Sequence, residues 1–581
     1  MKDKKLLKRL LFYAKPYSVQ FILVITMMII STGADLSKPI IIGSVVDLFV
    51  NNTKDTAETL RILLIYSALF LTVLVTSFIL VYIQTIMLQN IGQKIIKKIR
   101  LDIYNKMLDL PLRYYYQNPV GALVTRVTND TESLNEMYTS VLTNLFKHTM
   151  FLTGILIMMF TVNVKISLYV VCSIPITIIM TVIFKYFSRK AYRATRNYLT
   201  EMNIFLSEHL MGMKLIQIFS REKKTLNKMT DINEKLFKSG MRELYAFLVY
   251  RPSLFAMSNL TIALVLYVGS KEVLAGAVTI GTIVIFISYV KDFFGPIEQL
   301  AEVFNILQSA FSAAEKIFTV LDEENEIESG TLEINPDSFK GDIEFKNVWF
   351  AYKDEDWILK DVSFKIDIGQ KVAFVGATGA GKTSILSLIS RYYDIQKGQI
   401  LIDGKDIREF TIESLRTQIG QVLQDVFMFT GNIEKNIRLG KEEISEHDVK
   451  EAAKMVYANT FIEKMPHKYK QEVIEGGATL STGERQLISF ARAIAYSPKI
   501  FILDEATANI DTETEAVIQQ AIYKIMEGRT TIMVAHRLAT IQHADNIIVL
   551  DKGELKEMGT HQELLNQKGI YYNLYKLSLN H

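Results

Sequence analysis

Apolar residues crowd into the first 321 positions of the chain, in runs that stay apolar on every side instead of recurring at every third or fourth position. Ile22–Ile30 is one such stretch, with only Thr26 polar. Six runs stand out, roughly Val19–Phe49, Leu60–Leu88, Ser140–Val162, Ile166–Phe187, Tyr245–Val268 and Val278–Phe304. Each supplies the ~20 residues a helix needs to cross a bilayer. A water-soluble bundle would show a polar face at helical spacing, and these runs show none. The pattern predicts a six-span membrane domain over 1–321.

The connections alternate in length and charge. Lys2, Lys4, Lys5, Lys8, Arg9 and Lys15 precede the first run, Lys94, Lys97, Lys98 and Arg100 follow the second, and Arg189, Lys190, Arg193 and Arg196 follow the fourth. The other connections, Asn51–Glu58, Asn163–Lys165 and Gly269–Ala277, are short and nearly neutral. The basic side of a membrane protein is the cytoplasmic one, so both termini are expected there. The basic start runs into a stretch too long for a cleavable signal. The connections Gln89–Thr139 and Ser188–Leu244 are polar with few helix breakers, which predicts helical hairpins reaching into the cytoplasm. The first is expected to turn at Asn118-Pro119-Val120-Gly121, the second near Phe219-Ser220-Arg221-Glu222.

After Leu321 the texture changes. Asp322, Glu323, Glu324, Glu326 and Glu328, with Gly330 and Pro336, read as an acidic linker over 322–340. From 341 to 581, short β-rich runs alternate with helical ones: Ile343–Val348, Lys371–Val375, Gln399–Ile402, Ile500–Leu503, Thr530–Val534 and Asn546–Leu550. This alternation predicts an α/β domain with a largely parallel sheet. Composition adds two exclusions. A formal net charge of +3 over 581 residues is too weak a field for nucleic acid. The single cysteine, Cys172, rules out an internal disulfide and a paired-cysteine metal or redox site.

The chemistry lies in the α/β half. The strand Lys371–Val375 runs into Gly376-Ala377-Thr378-Gly379-Ala380-Gly381-Lys382-Thr383, followed by a helical stretch from Ser384. Small residues let successive backbone N–H groups surround phosphates at a helix start. Lys382 then supplies a charge to the β- and γ-phosphates, and Thr383 a hydroxyl to Mg2+. The strand Ile500–Leu503 ends in Asp504-Glu505, at the sheet edge where ligands bind. Asp504 suits the Mg2+ shell, and Glu505 suits a base for the attacking water. His536, after the strand Thr531–Ala535, suits a sensor of the γ-phosphate. Leu480-Ser481-Thr482-Gly483-Glu484 reads as a capping box, Ser481 with Glu484, at the start of an apolar helix.

Together, six apolar spans, this phosphate loop, and the stretches Leu480–Glu484, Leu503–Thr507 and Ala535–Arg537 resemble the ATP-binding cassette (ABC) transporter superfamily, in the exporter type whose membrane domain is fused ahead of its ATPase. The resemblance implies an α-helical six-span transmembrane domain followed by an α/β P-loop ATPase domain, with ATP and Mg2+ as cofactors. By position, it implies that Tyr352 stacks on adenine and that Gly376–Ser384 hold the phosphates. It implies that Gln424 touches Mg2+ and the attacking water, and that Ser481 and Gly483 close over ATP held by a second subunit. Asp511 corresponds to a dimer-interface aspartate, His536 to the switch histidine and Glu475 to a glutamate near the cytoplasmic hairpins.

One chain carries one ATPase domain, so the family's two-site sandwich needs a second half-transporter. The usual signature is Leu-Ser-Gly-Gly-Gln. Thr482 here adds branched bulk, and Glu484 brings an anion towards a triphosphate, a repulsion of about 1–4 kcal/mol at 4 Å. The helix start offsets roughly 0.3–1 kcal/mol of it. The chain's own half-site keeps Tyr352, Lys382, Thr383, Gln424, Asp504, Glu505 and His536. The altered residues are those lent to the neighbour, so the expected partner is a different subunit, in a heterodimer with one degenerate site. The expected cargo is a hydrophobic or amphipathic compound exported through the cytoplasmic membrane. The alternatives are a homodimeric lipid or peptide exporter and an ATP-gated channel or receptor. Of the charges inside the spans, Asp35 with Lys38, Lys147 with His148, Arg251, and Lys291 with Asp292, the first pair stand one turn apart and are expected to neutralise each other. Pro296 is a point at which the last span is expected to kink.

Overall fold

The computed structural model describes residues 2–50, 56–325, 327–353, 355–504, 512–534 and 541–579. The chain divides into two units, one of residues 1–109 and 118–323, the other of residues 110–117 and 324–581.

Among the described residues of the first unit, six helices are long and apolar enough to cross a membrane. The apolar runs form the cores of Ser18–Val50, Thr56–Asp109, Leu142–Val162, Ser173–Met211 (with Val164–Val171 before it), Glu222–Leu274 and Ile280–Leu321. Their outward faces stay apolar: Val19, Leu64, Phe78, Ile179 and Phe255 are all exposed. In water this would be unfavourable, and in lipid it is what a span requires. The Ile280–Leu321 helix runs on through Pro296. The fifth helix extends past the expected limit of Val268 to Leu274, so Gly269 is a helical residue and not part of a loop. A Cβ there would sit 3.0 Å from Cγ1 of Ile283, and the missing side chain lets the next helix approach.

Outer connections are tied by capping. Asn163 ends one helix in an extended conformation, and its side chain accepts from the N–H of Ile166, starting the next. Asp47, near the end of the first long helix, accepts from the Thr279 hydroxyl at 2.6 Å and the Gly281 N–H at 2.7 Å, at the start of the last. Carboxylate at a helix N-terminus is favourable for both reasons of charge and hydrogen bonding. Here Gly43 and Gly281 face each other, and a Cβ on Gly281 would lie 2.2 Å from the Gly43 carbonyl oxygen. The expected neutralisation is present: Lys38 Nζ lies 2.6 Å from Asp35, which also accepts from Ser77 at 2.9 Å.

Each hairpin leaves the helix where the sequence reading places its turn, at Asn118-Pro119 and at Phe219–Arg221, and each also has an earlier break. The first begins at Leu110-Pro111, turns through the short helix Leu112–Gln117, and ends at Pro119. Two prolines bracket that helix, and Gly121 lies inside the following helix Val120–Thr125. The second breaks at Gly212, which ends the Ser173–Met211 helix, followed by Met213–Ile218 and a restart at Glu222. Gly212 adds an earlier break, and the chain leaves the helix again at Phe219-Ser220-Arg221, with Ser220 at φ +49°.

The second unit carries two larger sheets. We label its strands β1 (Ile343–Ala351), β2 (Trp357–Ile366), β3 (Lys371–Val375), β4 (Lys397–Ile402), β5 (Lys405–Asp406), β6 (Ile419–Val422), β7 (Gly431–Asn432), β8 (Glu472–Val473), β9 (Ile500–Asp504), β10 (Thr530–Val534), β11 (Asn546–Asp551) and β12 (Glu554–Gly559). One sheet runs β12-β11-β3-β10-β9-β6, parallel except for β12. Its central strands are buried almost throughout their length, as strands covered on both faces are. The other sheet, β2-β1-β4-β5, is antiparallel. The alternating burial of β2, with Leu359, Val362, Phe364 and Ile366 inward, is the half-buried pattern that the sequence reading did not register as a strand. Phe345 and Phe364 stack at 4.4 Å between sheet neighbours. Each such fully buried side chain contributes about 1.5–3 kcal/mol.

Candidate nucleotide site

The site is built at the C-terminal edge of the parallel sheet, by register. Val422 of β6 lies beside Leu503 of β9, and Asp504 beside Val534 of β10. Val534 is also opposite Phe374 of β3, one residue before Val375 and the phosphate loop. One edge therefore carries the loop after β3, Asp504 at the end of β9, and Gln424 just past β6. Glu505, Asp511 and His536 continue from β9 and β10 and lie outside the described residues.

The phosphate loop owes its shape to its small residues. Gly379 and Gly381 have φ of +82° and +100°, in the left-handed region that favours glycine. At Gly376 a Cβ would meet the Leu550 carbonyl oxygen at 2.2 Å. Ala377, Thr378 and Gly379 are exposed, and Ala380 is buried beneath them. Gly381 then caps the helix Lys382–Ile389, whose first N–H groups have no intrahelical acceptor. The Lys382 ammonium is buried and donates to the carbonyls of Gly376 at 2.7 Å and Ala377 at 3.0 Å. It is thus held across the mouth of the loop. Thr383 is exposed beside it.

Tyr352 follows β1, and its hydroxyl shares a hydrogen bond with Ser384 at 3.0 Å. Phe350 and Tyr393 pack edge-on against its ring, and the residue remains 36% exposed. Burial pushes the phenol above its ordinary pKa, so it stays neutral. Tyr393 supports this ring and was not anticipated; its signal is the aromatic pair Tyr392-Tyr393 right after the loop's helix. Gln424 and Asp425 are exposed. Thr383, Gln424 and Asp504 offer hydroxyl, amide and carboxylate oxygens, the hard donors that Mg2+ prefers. Among the described residues no group of three or more His, Cys, Asp or Glu could hold a metal ion. A cation here would complete its shell with phosphate oxygens.

At a separate place in the same unit, the helix Thr482–Ala495 begins with the predicted capping box. Ser481 Oγ accepts from the Glu484 N–H at 3.2 Å, and the Glu484 carboxylate accepts from the Ser481 N–H at 2.7 Å. Gly483 is buried and Ser481 exposed. Arg485, not singled out by the sequence, donates to the carbonyls of Leu480 at 2.8 Å and Gly477 at 3.3 Å and to the Thr482 hydroxyl at 3.2 Å. Both unusual residues of this stretch are therefore engaged locally. Of Glu475 the structure describes the backbone, in the short turn Glu475–Gly477.

Residues 21–297 match the family described as the ABC transporter transmembrane region, and residues 359–508 match the family described as ABC transporter. The chain is 36% identical, over 98% of its own length and 97% of the relative's, to a putative ABC transporter ATP-binding protein of Streptococcus pneumoniae. This chain is an ABC transporter. It is similar as well to a probable multidrug resistance ABC transporter ATP-binding/permease protein of Bacillus subtilis (39% identical; 87% of this chain, 75% of that one). A third relative is an ATP-dependent lipid A-core flippase of Desulfotalea psychrophila (33% identical; 99% of this chain, 100% of that one). Among solved structures, a bacterial Atm1-family ABC exporter with ATP bound matches with TM-score 0.80 and 25% identity over 96% of this chain and 98% of that one. The transporter is thus an exporter-type half-transporter, its membrane domain fused to an ATP-binding ATPase, and a multi-pass protein of the cytoplasmic membrane. The ABC transporter couples ATP hydrolysis to transport.

Proposed function

We propose that this transporter exports hydrophobic or amphipathic compounds, as the catalytic-glutamate subunit of a heterodimer with one degenerate ATP site. The observation that carries the reading is the strand register, which brings the phosphate loop, Asp504 and Gln424 to one sheet edge. In this reading Lys382 and the loop 376–384 hold the phosphates, and Tyr352 stacks on adenine. Thr383, Gln424 and Asp504 hold Mg2+, which when bound neutralises phosphate charge. Glu505 polarises the attacking water and His536 senses the γ-phosphate. Ser481 and Gly483 serve the ATP of the partner subunit. The N- and C-termini lie in the cytoplasm.

The multidrug wording of the Bacillus subtilis relative's name supports the cargo class. The exposed Thr482 and the carboxylate of Glu484 support a different partner, since in a homodimer both sites would carry them. The flippase likeness, over nearly the whole chain, favours a second reading as a homodimeric lipid exporter. Expression alone separates the two. The heterodimer reading expects the chain by itself to hydrolyse ATP poorly and to gain activity with a partner. A fully active dimer of this chain alone overturns it. Glu505→Gln is expected to keep ATP binding and to abolish nearly all turnover of the assembled transporter. Unchanged turnover would remove Glu505 from its role.

A further inference from the structure

The helix that opens at the phosphate loop, Lys382–Ile389, closes on an unusual residue. The Arg391 N–H donates to Leu388 at 3.0 Å, and the Tyr392 N–H to Ser387 at 2.9 Å. This paired ending needs a left-handed residue after the cap, ordinarily glycine. Arg391 fills it with φ +47°. Its side chain is only 2% exposed, so a charge and a strained backbone are both accepted here. What the guanidinium does is therefore informative.

It makes three hydrogen bonds. Nε donates to Asp394 at 3.1 Å, Nη1 to the Phe410 carbonyl at 3.1 Å, and Nη2 to the Glu328 carbonyl at 2.7 Å. Glu328 belongs to the acidic connector that leaves the last long helix at Leu321. Around it the connector is stitched down. The Gly330 N–H donates to Phe410 and the Leu332 N–H to Glu409, while the Thr411 N–H donates to Leu332. The Ile412 N–H donates to the Ser329 hydroxyl. A Cβ on Gly330 would lie 2.1 Å from the Glu409 carbonyl oxygen, so the closeness depends on glycine. From the other side, Arg416 donates to the carbonyls of Ser390 and Arg391. The connector is thus no free tether in this stretch. One short helix has the phosphate loop at its start and the connector's clip at its end.

We propose that Arg391 is a positioning residue for transport: it makes the connector move as one body with the phosphate-loop helix. A nucleotide-driven displacement of that helix then reaches the last membrane helix along the backbone itself, by a route separate from the cytoplasmic hairpins. The proposal needs no choice between homodimer and heterodimer.

The test uses the assembled transporter in lipid nanodiscs. Gly-Ser-Gly-Ser is inserted either between Glu323 and Glu324, ahead of the clip, or between Pro336 and Asp337, behind it. Arg391→Met and Arg391→Lys are made alongside. ATP hydrolysis is read as a rate. The membrane response is read as the ATP–vanadate-induced change in distance between spin labels on Leu60→Cys and Ala277→Cys, in a Cys172→Ser background. The insertion ahead of the clip and Arg391→Met should each at least halve the distance change, with hydrolysis within twofold of the parent. The insertion behind the clip should alter neither, and Arg391→Lys, with fewer donors, should restore little. A full distance change with the insertion ahead of the clip overturns the proposal. So does a proportional loss of both readouts in Arg391→Met, which marks a purely structural arginine. If Arg391→Met does not fold, the insertion pair alone decides.

Discussion

Glu484 shows how one side chain can serve its own helix and burden a neighbour. Its carboxylate is turned back onto the Ser481 N–H, so it stabilises the helix start that carries it. Glu484→Gln keeps an oxygen able to accept that bond and removes the anion. We expect its effect on thermal stability to stay within about 1 kcal/mol, with ATP affinity at the partner-held site rising; an unchanged affinity would show that the charge is not felt there. Ser481→Ala loses the reciprocal bond and should cost ~1 kcal/mol. At Gly381, φ is +100° and a Cβ would lie 2.6 Å from the Leu359 side chain. Gly381→Ala should therefore destabilise the ATPase unit by roughly 1–3 kcal/mol in denaturant titration and lose ATP binding. The residue types at this loop were legible from sequence because the chemistry fixes their spacing. Arg391 was not, because a buried arginine is indistinguishable from a surface one until acceptors far away in the chain, Phe410 and Glu328, are folded beside it; Arg485 was missed although its acceptors lie within eight residues of it.

At the scale of elements, composition announced the spans, since a helix apolar on all sides has few other homes. It was silent on where helices end. The breaks at Pro111 and Gly212 and the end at Leu274 depend on single residues whose effect tertiary packing selects. Likewise β2 alternates at a period of two in a region dominated by buried parallel strands, and its partner β1 is what makes it a strand. The contact of Asp47 with the start of the last long helix is a further product of folding. Asp47→Ala deletes two hydrogen bonds and should lower stability in detergent by about 1–3 kcal/mol. Thr279→Ala deletes one of them together with the bond its hydroxyl accepts from the Thr282 N–H, and should cost a similar amount in the same thermal scan.

For the molecule as a whole, groups of the ATPase unit contribute to pH stability at both limits. Burial tends to raise Asp406, but hydrogen bonds from the Arg408 side chain and backbone prevail and hold it below its ordinary value. The Thr560 backbone and hydroxyl do the same for Glu563. A depressed carboxylate contributes stability above its unfolded pKa and loses it as pH falls through the folded value, so unfolding should become easier below about pH 4. At the other limit, burial pushes Tyr571 up to about 12, aided by Tyr575. A phenol raised in the folded state binds its proton more tightly there, so its contribution is complete below an unfolded pKa of about 10 and fades as pH rises towards about 12. Tyr571→Phe should flatten that alkaline slope in urea titrations at graded pH, at the cost of the bond to His561.

The meeting of Gly43 with Gly281 has a consequence for how this sequence can change over generations. Where Gly154 faces Leu36, every atom in the way belongs to a side chain, the nearest at 2.4 Å. Trimming that neighbour would make room, so Leu36→Ala should rescue Gly154→Ala. At Gly281 the nearest obstacle is the backbone of Gly43, which has nothing left to trim. No second substitution there restores what Gly281→Ala removes. One contact can drift by exchange of bulk between partners; the other is a dead end in sequence space, and a suppressor screen started from each glycine would tell them apart.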